Sequence, residues 1–119
     1  MRLFLADDQI KVRSALRLLL EQEPDMAVVG EAADATGLLQ GVAEKEPELV
    51  LLDWELPGLP SSQLLRLLQY ERPSLHIIAM SSRPEVAHLA LAAGAHRFLS
   101  KSEAPEQVLA IIRSLCSSR

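Results

Sequence analysis

Along this chain, short unbroken apolar runs alternate with longer stretches in which apolar residues return every third or fourth position. The runs fall at residues 3–6, 27–29, 49–52, 77–80 and 98–99. Strands covered on both faces read as continuous Val/Ile/Leu segments rather than alternating ones, so these runs predict buried, parallel strands. The intervening stretches predict helices over roughly 10–22, 34–46, 61–71, 84–93 and 104–117. Val12, Leu16 and Leu19 in the first, and Val108, Ile112 and Leu115 in the last, fall on one helical face.

Punctuation agrees with this division. Pro24, Pro47 and Pro73 each follow a helical stretch, while Asp34, Ser61 and Ser102 stand near helix starts as candidate caps. The order is (βα)5, an α/β chain expected to form a flavodoxin-like three-layer sandwich with sheet order 2-1-3-4-5. No repeat, low-complexity tract or linker interrupts it, so residues 1–119 are read as one domain.

Composition narrows the chemistry. The chain is 49% hydrophobic but only 3% aromatic, so its core is built from Leu, Val, Ile and Ala. A net charge of −4 argues against nucleic-acid binding by this surface, since phosphate contacts need clustered Lys and Arg. The one cysteine, Cys116, has no partner for an internal disulfide and is expected to be a partly packed thiol in a reducing cytoplasm. The acidic pair Asp7-Asp8 comes too early for a signal peptide, and no apolar stretch has the length of a membrane span.

In a sheet of this order, ligands bind beyond the carboxyl ends of the first and third strands, where the winding reverses. Asp7 and Asp8 end the first strand and Asp53 ends the third, so the topology gathers three carboxylates. Two full charges about 5 Å apart repel by roughly 3 kcal/mol at an effective dielectric of 20, which calls for a cation. Oxygen ligands in an open crevice suit Mg²⁺, and no Cys/His cluster with zinc spacing exists. The same rim receives Ser81 after the fourth strand and Lys101 after the fifth. With a cation and Lys101 neutralising the transferring oxygens and Ser81 donating a hydrogen bond, Asp53 is the natural nucleophile for a phosphoryl group.

At these residues the chain resembles the response-regulator receiver family over essentially its full length. The likeness rests on Asp7-Asp8, Asp53 followed by Leu56-Pro57-Gly58, Ser81-Ser82, Gly94-Ala95, and Phe98 three residues before Lys101. Receivers of the NarL/LuxR type, which carry a C-terminal helix-turn-helix, are the most similar, and no such output domain is read in these residues. The resemblance implies phosphorylation of Asp53 by a histidine kinase, with Mg²⁺ held by Asp7, Asp8, Asp53 and the main-chain carbonyl of Glu55. It also implies that Ser81 moves towards the phosphoryl group, that Phe98 turns inward, and that helix 4, strand 5 and helix 5 form an output face. Two positions depart from the common pattern: Ser61, where glycine is frequent, and Ser102, where proline is frequent.

Trp54, Glu55, Ser82 and Arg83 are placed at the mouth of the site, with Glu55 and Arg83 expected to pair across it and hinder hydrolytic water. His76, His88 and His96 are read as structural or surface residues, and Met80 as core. The wide apolar arcs of helices 1 and 5 fit either complete packing or a homodimer, for which the helix 4, strand 5 and helix 5 face is the other candidate. Two other functions fit the residues less well. A haloacid-dehalogenase-like phosphohydrolase also uses Asp, Mg²⁺ and Lys, but its Asp-x-Asp pattern is Asp53-Trp54-Glu55 here. A phosphorylation-independent interaction module would not need the intact acidic pair, acceptor, hydroxyl and lysine.

Overall fold

The computed structural model describes residues 1–116; the Cys116 side chain and the expected helical position 117 lie outside the described residues. Five parallel strands, β1 (Arg2–Ala6), β2 (Ala27–Ala32), β3 (Leu49–Asp53), β4 (His76–Ser81) and β5 (Arg97–Ser100), form one sheet in the order β2-β1-β3-β4-β5. The helices between and after them are α1 (Ile10–Glu21), α2 (Ala35–Lys45), α3 (Ser61–Glu71), α4 (Ala87–Ala92) and α5 (Pro105–Cys116).

Alternate residues of each strand feed opposite layers. Leu3, Leu5, Leu49, Leu51, Ile78 and Met80 pack with Leu20 of α1 and Val108, Ile112 and Leu115 of α5. Phe4, Ala6, Val50, Leu52, Ile77 and Ala79 pack instead with Leu38 and Val42 of α2, Leu64 and Leu68 of α3, and Ala90 of α4. All five residues of β3 are buried, which is why that strand was an unbroken apolar run.

The structure moves several boundaries. Strand β2 continues three residues beyond 29, through Gly30, Glu31 and Ala32, because an edge strand paired with β1 alone tolerates polar and small positions. The pairing slips between Leu3↔Val28 and Phe4↔Gly30. Gly30 on β2 and Gly41 on α2 lack the side chains that would strike the Phe4 ring between them. The helix expected at 84–93 opens instead as a 3-10 turn, Pro84–Val86, before α4 begins. Pro84 keeps Arg83 extended, and the left-handed Gly94 ends the segment.

Of the three proposed caps, one is seen. Asp34 accepts the Gly37 N–H at 2.8 Å. Pro60 occupies the cap position of α3, and the Ser61 hydroxyl donates to the Trp54 carbonyl instead. Helix α5 starts only at Pro105, and the Ser102 hydroxyl pairs with that of Ser100 at 2.9 Å.

Candidate functional site

Among the described residues only three polar side chains are buried, Asp7, Asp53 and Ser81, and all three stand at the carboxyl rim of the sheet. Backbone bonds fix this rim: Asp7 N–H donates to Ala32, Trp54 N–H to Met80 and Lys101 N–H to Ser81, at 3.0, 2.8 and 2.9 Å. The strand ends are therefore held together by the same ladder that makes the sheet. Burying three polar groups in one place opposes stability unless each finds a partner, so their contacts define what the site can do.

Asp7 Oδ1 accepts the Gln9 N–H at 2.8 Å. Its Oδ2 is buried and lies 2.7 Å from Lys101 Nζ in an ion pair, with no hydrogen bond from any other group among the described residues. Asp53 Oδ1 accepts the Glu55 N–H at 3.0 Å and lies 3.4 Å from Lys101 Nζ. Asp8 is exposed, and one oxygen from each of Asp7, Asp8 and Asp53 falls within 4.8 Å of the others.

The electrostatics follow from this crowding. Burial, and then the Asp7 charge, hold the Asp53 carboxyl above its ordinary value against the opposing pull of Glu55 N–H and Lys101. Burial draws the Lys101 ammonium down, but its contacts with Asp7 and Asp53 outweigh that and leave it above the usual lysine value. Lys101 is therefore a fixed positive charge facing an acid that is reluctant to ionise.

The fourth strand adds a hydroxyl. Ser81 Oγ donates to Glu55 Oε1 and Oε2 at 3.1 and 3.2 Å and accepts the Arg83 N–H at 3.0 Å. Arg83 Nη2 is 3.2 Å from Glu55 Oε2, so the expected pair across the mouth is present. Trp54 is half-buried against the α2/α3 core, and Ser82 is exposed. Phe98, also half-buried, packs on the same core from β5.

The family described as Response regulator receiver domain matches residues 3–113. The chain belongs to that family. It is 36% identical over 115 residues to the transcriptional activator protein ExaE of Pseudomonas putida, covering 95% of this chain and 54% of ExaE. It is 31% identical over 109 residues to the nitrate/nitrite response regulator NarL of Escherichia coli K12, covering 90% of this chain and 50% of NarL. A solved LuxR-family two-component response regulator from Aurantimonas sp. SI85-9A1 superposes with a TM-score of 0.90 at 31% identity, over 99% of this chain and 86% of that one. The receiver thus spans about half the length of the curated relatives it matches.

Two residues of the receiver site were not singled out from sequence. The Gln9 side-chain oxygen lies 3.4 Å from Lys101 Nζ. Arg13 donates to the Asp7 carbonyl at 2.6 Å and pairs with Glu31 of β2 at 2.8 Å, tying the acidic pair to the sheet edge. Gln9 was findable, since it directly follows Asp7-Asp8; Arg13 had no signal beyond its place one turn into α1. A cavity of about 910 Å³ at the opposite rim, beside Glu46, Glu71, Arg72 and His76, shares no residue with the site.

Proposed function

We propose that residues 1–119 form one receiver domain that takes a phosphoryl group from a histidine kinase onto Asp53. The observation that carries this reading is the meeting of buried Asp7 and Asp53 at Lys101, at the switch point of the sheet, with the third buried polar residue, Ser81, on the same rim. Asp53 Oδ1 holds the Glu55 N–H and the Lys101 contact, leaving Oδ2 to attack phosphorus. The P–N bond of the donor phosphohistidine breaks, its nitrogen leaves with the electron pair and takes a proton, and an acyl phosphate remains on Asp53.

The donor set fits Mg²⁺. All candidate ligands are oxygen, and the buried Oδ2 of Asp7 has no partner besides Lys101 among the described residues, which leaves it a lone pair to offer. Asp7, Asp8, Asp53 and the main-chain carbonyl of Glu55 would hold the ion, which when bound neutralises charge on the phosphoryl oxygens. Lys101 adds its own charge from β5, and Ser81 turns to donate a hydrogen bond once the phosphoryl group is present. Phe98 moves inward behind it, and α4, β5 and α5 change as the output face.

The receiver performs this transfer on itself and later loses the phosphoryl group to water as inorganic phosphate, without turning over an external substrate. Its place in half the length of ExaE and NarL supports transcriptional control through a helix-turn-helix domain of a longer protein. With a net charge of −4, this domain leaves DNA to that partner domain. No helix of the described residues is long and apolar enough to cross a membrane, in keeping with a cytoplasmic role. Ile10 and Leu18 on α1 are 67% and 66% exposed, and Leu89 and Leu91 on α4 are 53% and 46% exposed, which supports a homodimer through α1 and α5 or through α4, β5 and α5. Incubation with Mg²⁺ and a small acyl-phosphate donor, read by intact mass, tests the phosphoacceptor reading: one added phosphoryl group supports it and none overturns it.

A further inference from the structure

A serine hydroxyl has one proton to donate and two lone pairs to offer. In this structure the Ser81 proton is given to the Glu55 carboxylate, whose two oxygens lie 3.1 and 3.2 Å away. The Arg83 N–H occupies a lone pair of the same oxygen at 3.0 Å. The Arg83 guanidinium meanwhile holds Glu55 from the solvent side at 3.2 Å. Ser81 is fully buried, and the hydrogen bonds of its hydroxyl all go to Glu55 and Arg83.

We propose that Glu55 is the resting acceptor of the Ser81 hydroxyl and must release it before Ser81 can bind a phosphoryl group on Asp53. This rests on the phosphoacceptor reading and names a regulator of that same site. A proton aimed at the Glu55 carboxylate is not aimed at Asp53, so Glu55 and the phosphoryl oxygens compete for it. At 3.1 and 3.2 Å the bond is long for a hydroxyl on a carboxylate, and the charge of the acceptor offsets part of that length. The Glu55 side chain is 40% exposed, which leaves it room to swing to water when displaced. Glu55 is thus a positioning residue, acting through Ser81, in addition to the metal-facing carbonyl of its main chain, which any side chain at this position retains.

The test uses beryllofluoride with Mg²⁺ as a phosphoryl mimic and the one tryptophan, Trp54, adjoining Asp53, as fluorescent reporter. Glu55→Ala frees the hydroxyl and tightens beryllofluoride binding by about tenfold. Glu55→Gln keeps a weaker acceptor and falls between Glu55→Ala and the parent. In a Ser81→Ala background, Glu55→Ala changes affinity by less than about twofold, because no hydroxyl remains to be released. Equal tightening with and without the Ser81 hydroxyl, or a Gln variant as tight as the Ala variant, would assign the effect to simple charge repulsion and overturn the proposal. So would no change in Glu55→Ala. Failure of the parent chain to bind beryllofluoride would overturn the phosphoacceptor reading itself, and the proposal with it.

Discussion

Lys101 Nζ, from the turn after β5, stands 2.7 Å from Asp7 Oδ2 at the end of β1, and so links two strands that are not neighbours in the sheet. Asp7 is fully buried and Lys101 only 14% exposed, so neither charge is well served by water. Removing one member of a buried pair leaves the other uncompensated. Lys101→Met is therefore expected to destabilise the receiver by about 3 kcal/mol in urea unfolding without divalent cations. Unchanged stability would mean that Asp7 does not depend on Lys101.

Asp53 contributes in the opposite sense. Its carboxyl sits above its ordinary value through burial and then the Asp7 charge. A raised acid favours folding only below its unfolded value of about 3.9, and that contribution is lost as pH rises through the higher folded value. At neutral pH the ionised group opposes folding, so Asp53→Asn should raise the melting temperature without Mg²⁺, by about 4 °C per kcal/mol gained. Mg²⁺ at a hundredfold excess over its dissociation constant should stabilise the parent by about 2.7 kcal/mol and the variant by less. Equal stabilisation of both would contradict binding at this carboxylate.

Arg83 and Glu55 form an ion pair with side chains 57% and 40% exposed, so its value to stability is small. Its expected effect is on water at the mouth. Arg83→Ala should leave stability within about 0.5 kcal/mol but shorten the phosphoryl lifetime by about threefold. An unchanged lifetime would remove the pair from the account.

His96 sits far from this rim, with Nδ1 accepting the Ile77 N–H at 3.1 Å and its ring 5.1 Å edge-on from His76. Burial, then His76, holds its imidazole below the ordinary value. Because the unfolded chain then binds more protons, the stabilisation is complete above about pH 6.5 and is lost as pH falls through the folded value. Protonation also removes the lone pair that Ile77 uses. His96→Asn keeps an acceptor that does not titrate, so its loss of stability between about pH 7.5 and pH 5 should be smaller than the parent's. Parallel curves would contradict this.

The layers and the rim were legible in the sequence because burial and topology leave one-dimensional traces. Residues 49–52 of β3 are apolar without interruption because both faces are covered, and Asp53 ends that run at the switch point. The edge strand β2 was cut short where Glu31 turns to pair with Arg13 and Arg17, a partnership with no signal along the chain. Ser61 looked like a cap, but its hydroxyl is taken by Trp54, seven residues upstream. Glu55 and Arg83 were placed opposite each other because each lies two residues beyond a strand end. That the Glu55 carboxylate also reaches Ser81 depends on side-chain rotamers, which spacing does not encode.

The central claim is that Asp53 accepts the phosphoryl group. It is tested most directly by trapping the acyl phosphate. After incubation with Mg²⁺ and a small acyl-phosphate donor, borohydride reduces a carboxyl phosphate to an alcohol, and peptide mass spectrometry locates the reduced residue. Reduction at Asp53 in the parent, and no labelling in Asp53→Ala, is the predicted result. Labelling at another residue, or equal uptake by Asp53→Ala, would contradict the account.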